Sequence, residues 1–348
     1  MKGRVDHDLF DRKSVLITGG VGMVGANLVT TLSENPSVRI FIADDLSSGK
    51  LNFLSDKENV FFYHTDISKM DQLRVVWSEC NPDYVFHLAA HFANWNSIIS
   101  PYTDIQSNIV GTLNCLELAR EKKNLKKFVY TSSSCVYSQS NDMSENASLY
   151  PTDTPYAINK FTSELYVKFY SDYYKIPGIS LRLFNAYGPY DVSGKFRSVI
   201  PNFINKALRG EDLVITGSGN EMRDFTYVSD VVNLLILAAT SKETGAFNAG
   251  TGEGVKILDL AKTILKLTSS RSKLRFIEKR DWDKVSCRIA NTEKSFERLE
   301  YRPSVSIQEG LKCTIAWFRL HEVQLKEKLL KPKNDFFMRE REAGAMAL

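Results

Sequence analysis

Short apolar runs recur through the first half of the chain, at residues 14–18, 38–43, 60–63, 84–88 and 128–131. The stretches between them are long enough for helices and mix polar with apolar positions. This alternation predicts βαβ units, and hence a doubly wound α/β fold of Rossmann type with a parallel sheet covered on both faces. Two of the intervening helices are expected to be long, at about 101–122 and 155–174. Both carry apolar residues at three- and four-residue spacing: Ile109, Leu113 and Leu116 in the first, Phe161, Leu165 and Phe169 in the second. After Asn185 the alternation gives way to a loop at 187–198, a helix from Pro201, a strand at 213–215 and a turn at 217–219. The pattern therefore predicts a first domain over 1–186, a smaller α/β domain over 187–320 and a charged tail over 321–348. A strand and helix at about 224–240 are expected to return to the first domain.

Composition narrows the class. The chain has 348 residues, of which 43% are hydrophobic and 25% charged, close to the average for globular proteins and far from disordered or collagenous sequences. Lys plus Arg exceed Asp plus Glu by four, 45 against 41. That balance predicts a small-molecule partner and no nucleic acid. The five cysteines are widely spaced with no C-x-x-C pair, so neither a disulfide framework nor a metal site is expected. No apolar run of membrane-spanning length occurs and residues 1–13 lack a signal-peptide pattern, so a cytoplasmic protein with no membrane association is expected.

The first apolar run leads straight into Gly19-Gly20-Val21-Gly22-Met23-Val24-Gly25, where a helix pattern begins. Glycines here permit a tight turn, close approach of backbone N–H groups to a pyrophosphate, and tight packing of helix on strand. Asp44, with Asp45 as the second choice, stands at the end of the next run, where a carboxylate accepts bonds from the adenosine ribose hydroxyls. That charge would repel a 2′-phosphate, which favours NAD over NADP. Asp66 and Ile67, after the third run, fall where an adenine ring is read, although an N-cap role for Asp66 fits the sequence equally.

Further along, Tyr156 and Lys160 stand four residues apart within the second long helix, which puts both on one face. A neighbouring ammonium stabilises a phenolate and so turns a weak base into a usable one. The run Thr131-Ser132-Ser133-Ser134-Cys135-Val136-Tyr137 follows a predicted parallel strand, which places its hydroxyls at the ligand-binding edge of the sheet.

These residues together resemble the extended short-chain dehydrogenases/reductases, in particular the nucleotide-sugar epimerases and dehydratases. The resemblance spans Lys13 to about Phe318. Besides the glycine loop and Tyr156-x-x-x-Lys160 it includes Asp44-Asp45-Leu46-Ser47-Ser48-Gly49, His87-Leu88-Ala89-Ala90, Asn108-Ile109-Val110-Gly111-Thr112, Arg182-x-Phe184-Asn185 and Arg223-Asp224-Phe225. It implies NAD as cofactor, with Ser48, Leu88, Ala89, Ala90 and Asn108 joining the loop residues and acids in its site. Tyr156 would be the general base, Lys160 would hold the nicotinamide ribose, and Ser133 would bond the reacting sugar oxygen. Asn185, Arg223 and Arg280 would take the diphosphate of a nucleotide sugar, a UDP-sugar first of all, and the polar and aromatic positions 91–97 up to Ser97 would face the sugar. A homodimer through the two long helices is also implied.

The choice of reaction turns on Ser133-Ser134-Cys135. Dehydratases and decarboxylases of this family carry a carboxylate in that turn, and this chain has none. Cys135 resembles the acid/base cysteine of 3,5-epimerases and of 4-keto reductases, but the second acid/base group of those enzymes is replaced by Ser198. The expected activity is therefore 4-epimerisation through a transient 4-keto sugar. A 3,5-epimerase or 4-keto reductase using Cys135, a 4,6-dehydratase, and a non-catalytic NAD-binding sensor are the alternatives.

Overall fold

A computed structural model describes residues 7–51, 54, 56–92, 94–194, 198–280 and 283–321. The predicted tail beyond residue 321 lies outside the described residues, as do Asp281 and Trp282. The first half alternates as its pattern requires: β1 (Ser14–Thr18), α1 (Met23–Leu32), β2 (Arg39–Asp44), β3 (Val60–His64), α2 (Met70–Cys80) and β4 (Tyr84–His87). There follow α3 (Asn94–Ile99), α4 (Pro101–Ile105), a π-helical turn (Gln106–Val110), α5 (Gly111–Glu121), β5 (Lys127–Ser133) and α6 (Pro155–Tyr174). The helix expected at 101–122 is thus interrupted by a π-helical turn. A helix with that insertion re-aims its side chains, and π-turns gather at functional sites.

The second half holds β6 (Gly178–Leu183), β7 (Ala186–Tyr187), α7 (Val199–Leu208), β8 (Leu213–Thr216), β9 (Met222–Asp224), β10 (Thr226–Tyr227) and α8 (Val228–Thr240). It ends with β11 (Gly245–Ala249), β12 (Gly254–Lys256), α9 (Ile257–Thr268), β13 (Leu274–Ile277), β14 (Cys287–Arg288), α10 (Glu293–Leu299) and α11 (Ile307–Leu320).

Seven strands make one parallel sheet in the order β11-β6-β5-β4-β1-β2-β3, the doubly wound Rossmann arrangement. Alternate residues of each strand point to opposite faces. Val15, Ile17, Ile40 and Ile42 accordingly pack with α1 and α8, while Leu16, Phe41 and Val85 pack with α2, α5 and α6. The apolar runs point to five of the seven strands. Strand β6 is obscured by Arg182, buried near its carboxyl end, and β11, Gly-Ala-Phe-Asn-Ala, is too short and small to read as a strand. The stretch 225–228 contributes only the two-residue β10, which pairs with β7 and not with the large sheet, whereas α8 packs onto that sheet beside α1.

A second apolar cluster gathers α7, α9, α11 and β8 around Ile204, Ile215, Ile264 and Ile315. Its small sheets pair β8 with β13 and set β9 between β12 and β14.

Within the large sheet one buried ion pair ties β6 and β11 to α6 and to the turn after β5. Arg182 on β6 donates through Nε to both carboxylate oxygens of Glu164 on α6, at 3.2 and 3.1 Å. Its Nη1 donates to the Tyr137 hydroxyl at 2.9 Å, and that hydroxyl donates to Asn248 Oδ1 on β11 at 2.7 Å. Arg182 and Glu164 side chains are 4% and 8% exposed, so removing one partner strands a charge in low dielectric. Replacing Glu164 by Gln is expected to cost about 3–5 kcal/mol of stability, read as a fall in the urea midpoint. A loss below about 1 kcal/mol, the range of an exposed pair, would contradict this assignment.

Candidate functional site

A cavity of ≈ 1420 Å³ opens over the carboxyl ends of β1, β2, β4 and β5 and is closed from above by residues of β8, β9, β13 and β14. It lies where the sheet order reverses on either side of β1, the position at which doubly wound sheets take ligands.

The glycine loop forms one end. Gly19, at φ +72°, presses against the loop after β4: a Cβ there would stand 2.6 Å from Ala89 N. A Cβ on Gly25 would stand 2.2 Å from Gly19 O, so neither position admits a larger residue without movement. Gly22 caps α1 with no side-chain hydrogen bond, and the helix has no acid in its first turn. The N–H groups at that end are thus left for an anion, as a pyrophosphate requires. Asp44, 8% exposed, accepts from Val21 N at 3.0 Å and Leu46 N at 2.9 Å, which ties β2 to the glycine loop. Burial pushes its carboxyl above the ordinary value, against the pull of those two N–H donors. Met23, Val24, Asp45 and Ser48 line the same end of the cavity. Asp66 and Ile67 line it after β3, and Leu88, Ala89 and Ala90 after β4. The residues present therefore fit a dinucleotide with an anionic centre.

His87 underlies this wall. Thr112 Oγ1 donates to Asn108 O at 2.6 Å and so accepts from His87 Nε2 at 2.9 Å. The other ring nitrogen then accepts from Thr18 Oγ1 at 2.7 Å, and that oxygen accepts Ala89 N–H at 3.3 Å. Burial, helped by the Lys160 charge, drives the His87 pKa down to about 3, so the ring is neutral and its tautomer is fixed by these threonines.

The centre of the cavity holds Tyr156, Lys160 and Ser133. The start of α6 is anchored twice: Thr154 Oγ1 accepts from Ala157 N at 3.3 Å and donates to Asn94 Oδ1 at 2.9 Å, and Ser97 Oγ accepts Tyr156 N–H at 3.0 Å. Lys160 Nζ donates to Thr131 O at 2.8 Å and stands 4.8 Å from the Tyr130 ring centroid and 6.0 Å from that of Tyr156. Burial raises the Tyr156 pKa, as do Cys135 and Asp104, and a hydrogen bond from Ser133 opposes the rise. Asp104 is itself fully buried, with Oδ1 3.2 Å from His91 Nδ1 and Oδ2 accepting from Asn159 Nδ2 at 2.6 Å. Cys135 receives two N–H groups on its sulfur, Arg288 Nη1 at 3.6 Å and Asn94 Nδ2 at 3.7 Å.

At the far end Asn185, Arg223 and Arg280 all line the cavity. Asn185 Nδ2 donates to Asp224 O at 2.8 Å, and Arg223 Nη2 meets Asp283 Oδ1 at 3.1 Å and Val285 O at 2.9 Å. Arg280 is exposed at the rim. Ser198 also lines the cavity, at the start of α7.

Two predicted contact residues stand outside the wall. Ser97 is fully buried, its hydroxyl spent between Asn94 O and Tyr156 N, so it braces the helix carrying Tyr156 and does not face a sugar. Asn108 is 1% exposed inside the π-helical turn, with Nδ2 donating to His91 O and its carbonyl taking Thr112 and Ser163 hydroxyls. It stands behind the cofactor end as a brace. Arg288 is among the cavity residues that sequence reasoning passes over. It sits on a strand of two residues, with no motif or periodicity around it.

The fold and this site define a dinucleotide-dependent enzyme of the Tyr-x-x-x-Lys type. Residues 15–250 match the model of the NAD dependent epimerase/dehydratase family, and the chain belongs to that family. Human dTDP-D-glucose 4,6-dehydratase is 32% identical over 340 residues, covering 92% of this chain and 94% of that protein. UDP-glucose 4-epimerase from Thermotoga maritima, solved with UDP-glucose, superposes with a TM-score of 0.84 at 33% identity, covering 88% of this chain and 99% of that one. UDP-N-acetylglucosamine 4-epimerase from Methanobrevibacter ruminantium, solved with UDP-N-acetylmuramic acid, gives a TM-score of 0.83 at 30% identity over 89% and 99% of the two chains. The chain is therefore an enzyme of nucleotide-sugar chemistry.

Burial lowers the Lys160 pKa to about 8, with Asp104 and Cys135 pulling the other way, and Lys127 is brought to about 8 by burial as well. In the cofactor-free protein an NMR titration of the lysine side chains is expected to show these two losing their protons well before the surface lysines, near 10.4. Lys160→Met removes one of the two; a single common titration near 10.4 would contradict the burial described above.

Proposed function

We propose that the chain is an NAD-dependent nucleotide-sugar 4-epimerase acting on a UDP-sugar. What carries this reading is the make-up of the catalytic turn. Ser133 and Tyr156 stand together beside Lys160, yet the turn from Ser134 to Tyr137 brings no carboxylate to them. The acids that line the cavity come from elsewhere: Asp44, Asp45 and Asp66 at the glycine-loop end, and Asp191, Glu221, Glu278 and Asp283 toward the smaller cluster. Elimination of water from the sugar would need an acid and a base at the turn, so the dehydratase reading lacks its chemistry here.

In this scheme the Tyr156 phenolate takes the proton of the sugar C4 hydroxyl and later returns it. The Lys160 ammonium favours the phenolate, and Ser133 orients the oxygen that becomes the ketone. Bound NAD supplies a hydride acceptor, and then a donor, at that carbon. The loop of Gly19, Gly22 and Gly25 takes the pyrophosphate, Asp44 the adenosine ribose, and Asp66 with Ile67 the adenine. Asn185, Arg223 and Arg280 hold the diphosphate of the substrate through charge-assisted bonds. The free cysteines suit a reducing cytoplasm.

A second reading draws on the two donors at the Cys135 sulfur, which hold it in place as an acid/base group for the carbon beside the ketone. Homodimerisation is part of the proposal too. Along the helices from Pro101 to Glu121 and α6, which pack side by side, Tyr102, Ile105, Leu165, Phe169 and Tyr173 are exposed. An apolar patch of that kind is characteristic of a subunit contact.

Incubation with UDP-glucose, UDP-N-acetylglucosamine and UDP-glucuronate is expected to yield a C4 epimer without added cofactor, and Tyr156→Phe to slow it by roughly 10²–10⁴. Release of water or CO2 from the sugar would overturn the 4-epimerase reading, and solvent deuterium at C3 or C5, lost in Cys135→Ser, would replace it with the second. Sedimentation is expected to give a dimer that Phe169→Glu dissociates; a monomer at micromolar concentration would refute the contact.

A further inference from the structure

Arg288 has no acidic partner among the described residues, although it faces the part of the cavity nearest Tyr156. Strand β14 pairs in parallel with β9, in a register that sets Arg288 beside Arg223. Paired residues of neighbouring strands share a face, roughly 5 Å apart, so two guanidinium groups enter the cavity side by side. Their surroundings differ. Arg223 has the Asp283 carboxylate and the carbonyls of Met222 and Val285. Arg288 Nη2 has only the carbonyl of Ser138, at 3.2 Å, and Nη1 has the Cys135 sulfur. Its Nε–H is shielded from solvent and meets no acceptor.

A thiol sulfur is a weak acceptor, yet two N–H groups converge on it, one of them from a guanidinium. The second is Asn94 Nδ2, held in position because its amide oxygen accepts from Thr154 Oγ1. Cys135 lies two residues beyond Ser133. This cluster therefore borders the sugar and not the nucleotide, provided that Tyr156 and Ser133 handle the sugar as proposed above.

We infer that Arg288 and Asn94 form a binding site for a carboxylate carried by the sugar of the substrate, so that the preferred nucleotide sugar is acidic. A carboxylate offers the paired oxygens that match a guanidinium fork, and Arg288 makes no ion pair with Asp153 or Asp283, the acids that border the same corner. Arg223 and Arg280 remain for the diphosphate, which accounts for a third arginine in the cavity. The carboxylate has two chemical sources, the oxidised C6 of a uronate or an ether-linked acid on another sugar carbon.

Calorimetric titration of the NAD-loaded Tyr156→Phe protein, in which turnover is slowed, tests this. The probes are UDP-glucose, UDP-glucuronate, UDP-galacturonate and UDP-N-acetylmuramate. At least one acidic sugar is expected to bind roughly ten- to a hundredfold more tightly than UDP-glucose, and the probe preferred identifies the source of the carboxylate. Adding Arg288→Gln is expected to bring the acidic-to-neutral ratio close to one, and Arg288→Lys to restore it in part; retained NAD verifies folding of each variant. Equal affinity for acidic and neutral sugars overturns the inference. So does an equal loss for UDP and every UDP-sugar in Arg288→Gln, which would make Arg288 a third diphosphate ligand. If acidic sugars are preferred but wild-type protein makes no C4 epimer from them, the proposed reaction fails and the carboxylate site stands.

Discussion

The geometry of the site depends on a buried charge pair that touches no part of it. Arg182 is buried on β6, one strand in from the edge of the sheet, and is held by Glu164, eight residues along α6 from Tyr156. Through Nη1 it also holds Tyr137, the last residue of the turn that begins just after Ser133. Tyr156 and Ser133 are therefore referred to one guanidinium. A helix and a turn packed only by apolar contact have freedom to slide, because hydrophobic burial is non-directional. Charged, bidentate bonds inside a low-dielectric core fix distance and angle.

The same interior sets the protonation states around Tyr156. His87 is kept neutral by burial, so the charge closest to the phenol on the cationic side is Lys160. Asp104 opposes it from beneath, favouring the ammonium but resisting the phenolate. The Tyr156 phenol and the Lys160 ammonium are thus both buried close to Asp104 and Cys135, where each charge acts more strongly than at a surface.

Local motifs are legible in the sequence because their function constrains residues close together. The glycine loop follows from a single strand-turn-helix, and Tyr156 with Lys160 from one turn of helix. Ser97 and Asn108 sit in motifs that resemble contact residues, yet both are turned inward, Ser97 by the unmet N–H at the start of α6 and Asn108 by the π-helical turn. No spacing rule reveals such a rotation. Arg288 was illegible for another reason: its neighbour Arg223 and its partner Cys135 are remote in sequence, and only the pairing of β14 with β9 assembles them. Strand β11 is of the same kind, since its small residues and Asn248 suit the network at Tyr137 and give no strand signal of their own.

Strand β11 also orders events during synthesis. The sheet's outermost strand is encoded after the whole stretch from Ala186 to Thr240, so β6 emerges from the ribosome as an open edge and stays one while that stretch is made. Until Gly245–Ala249 arrives, Tyr137 lacks the Asn248 acceptor and the nascent chain displays an unpaired parallel edge, the kind of surface that invites association with other chains. A chain that stops short of that strand is thus a hazard to its neighbours as well as an incomplete enzyme.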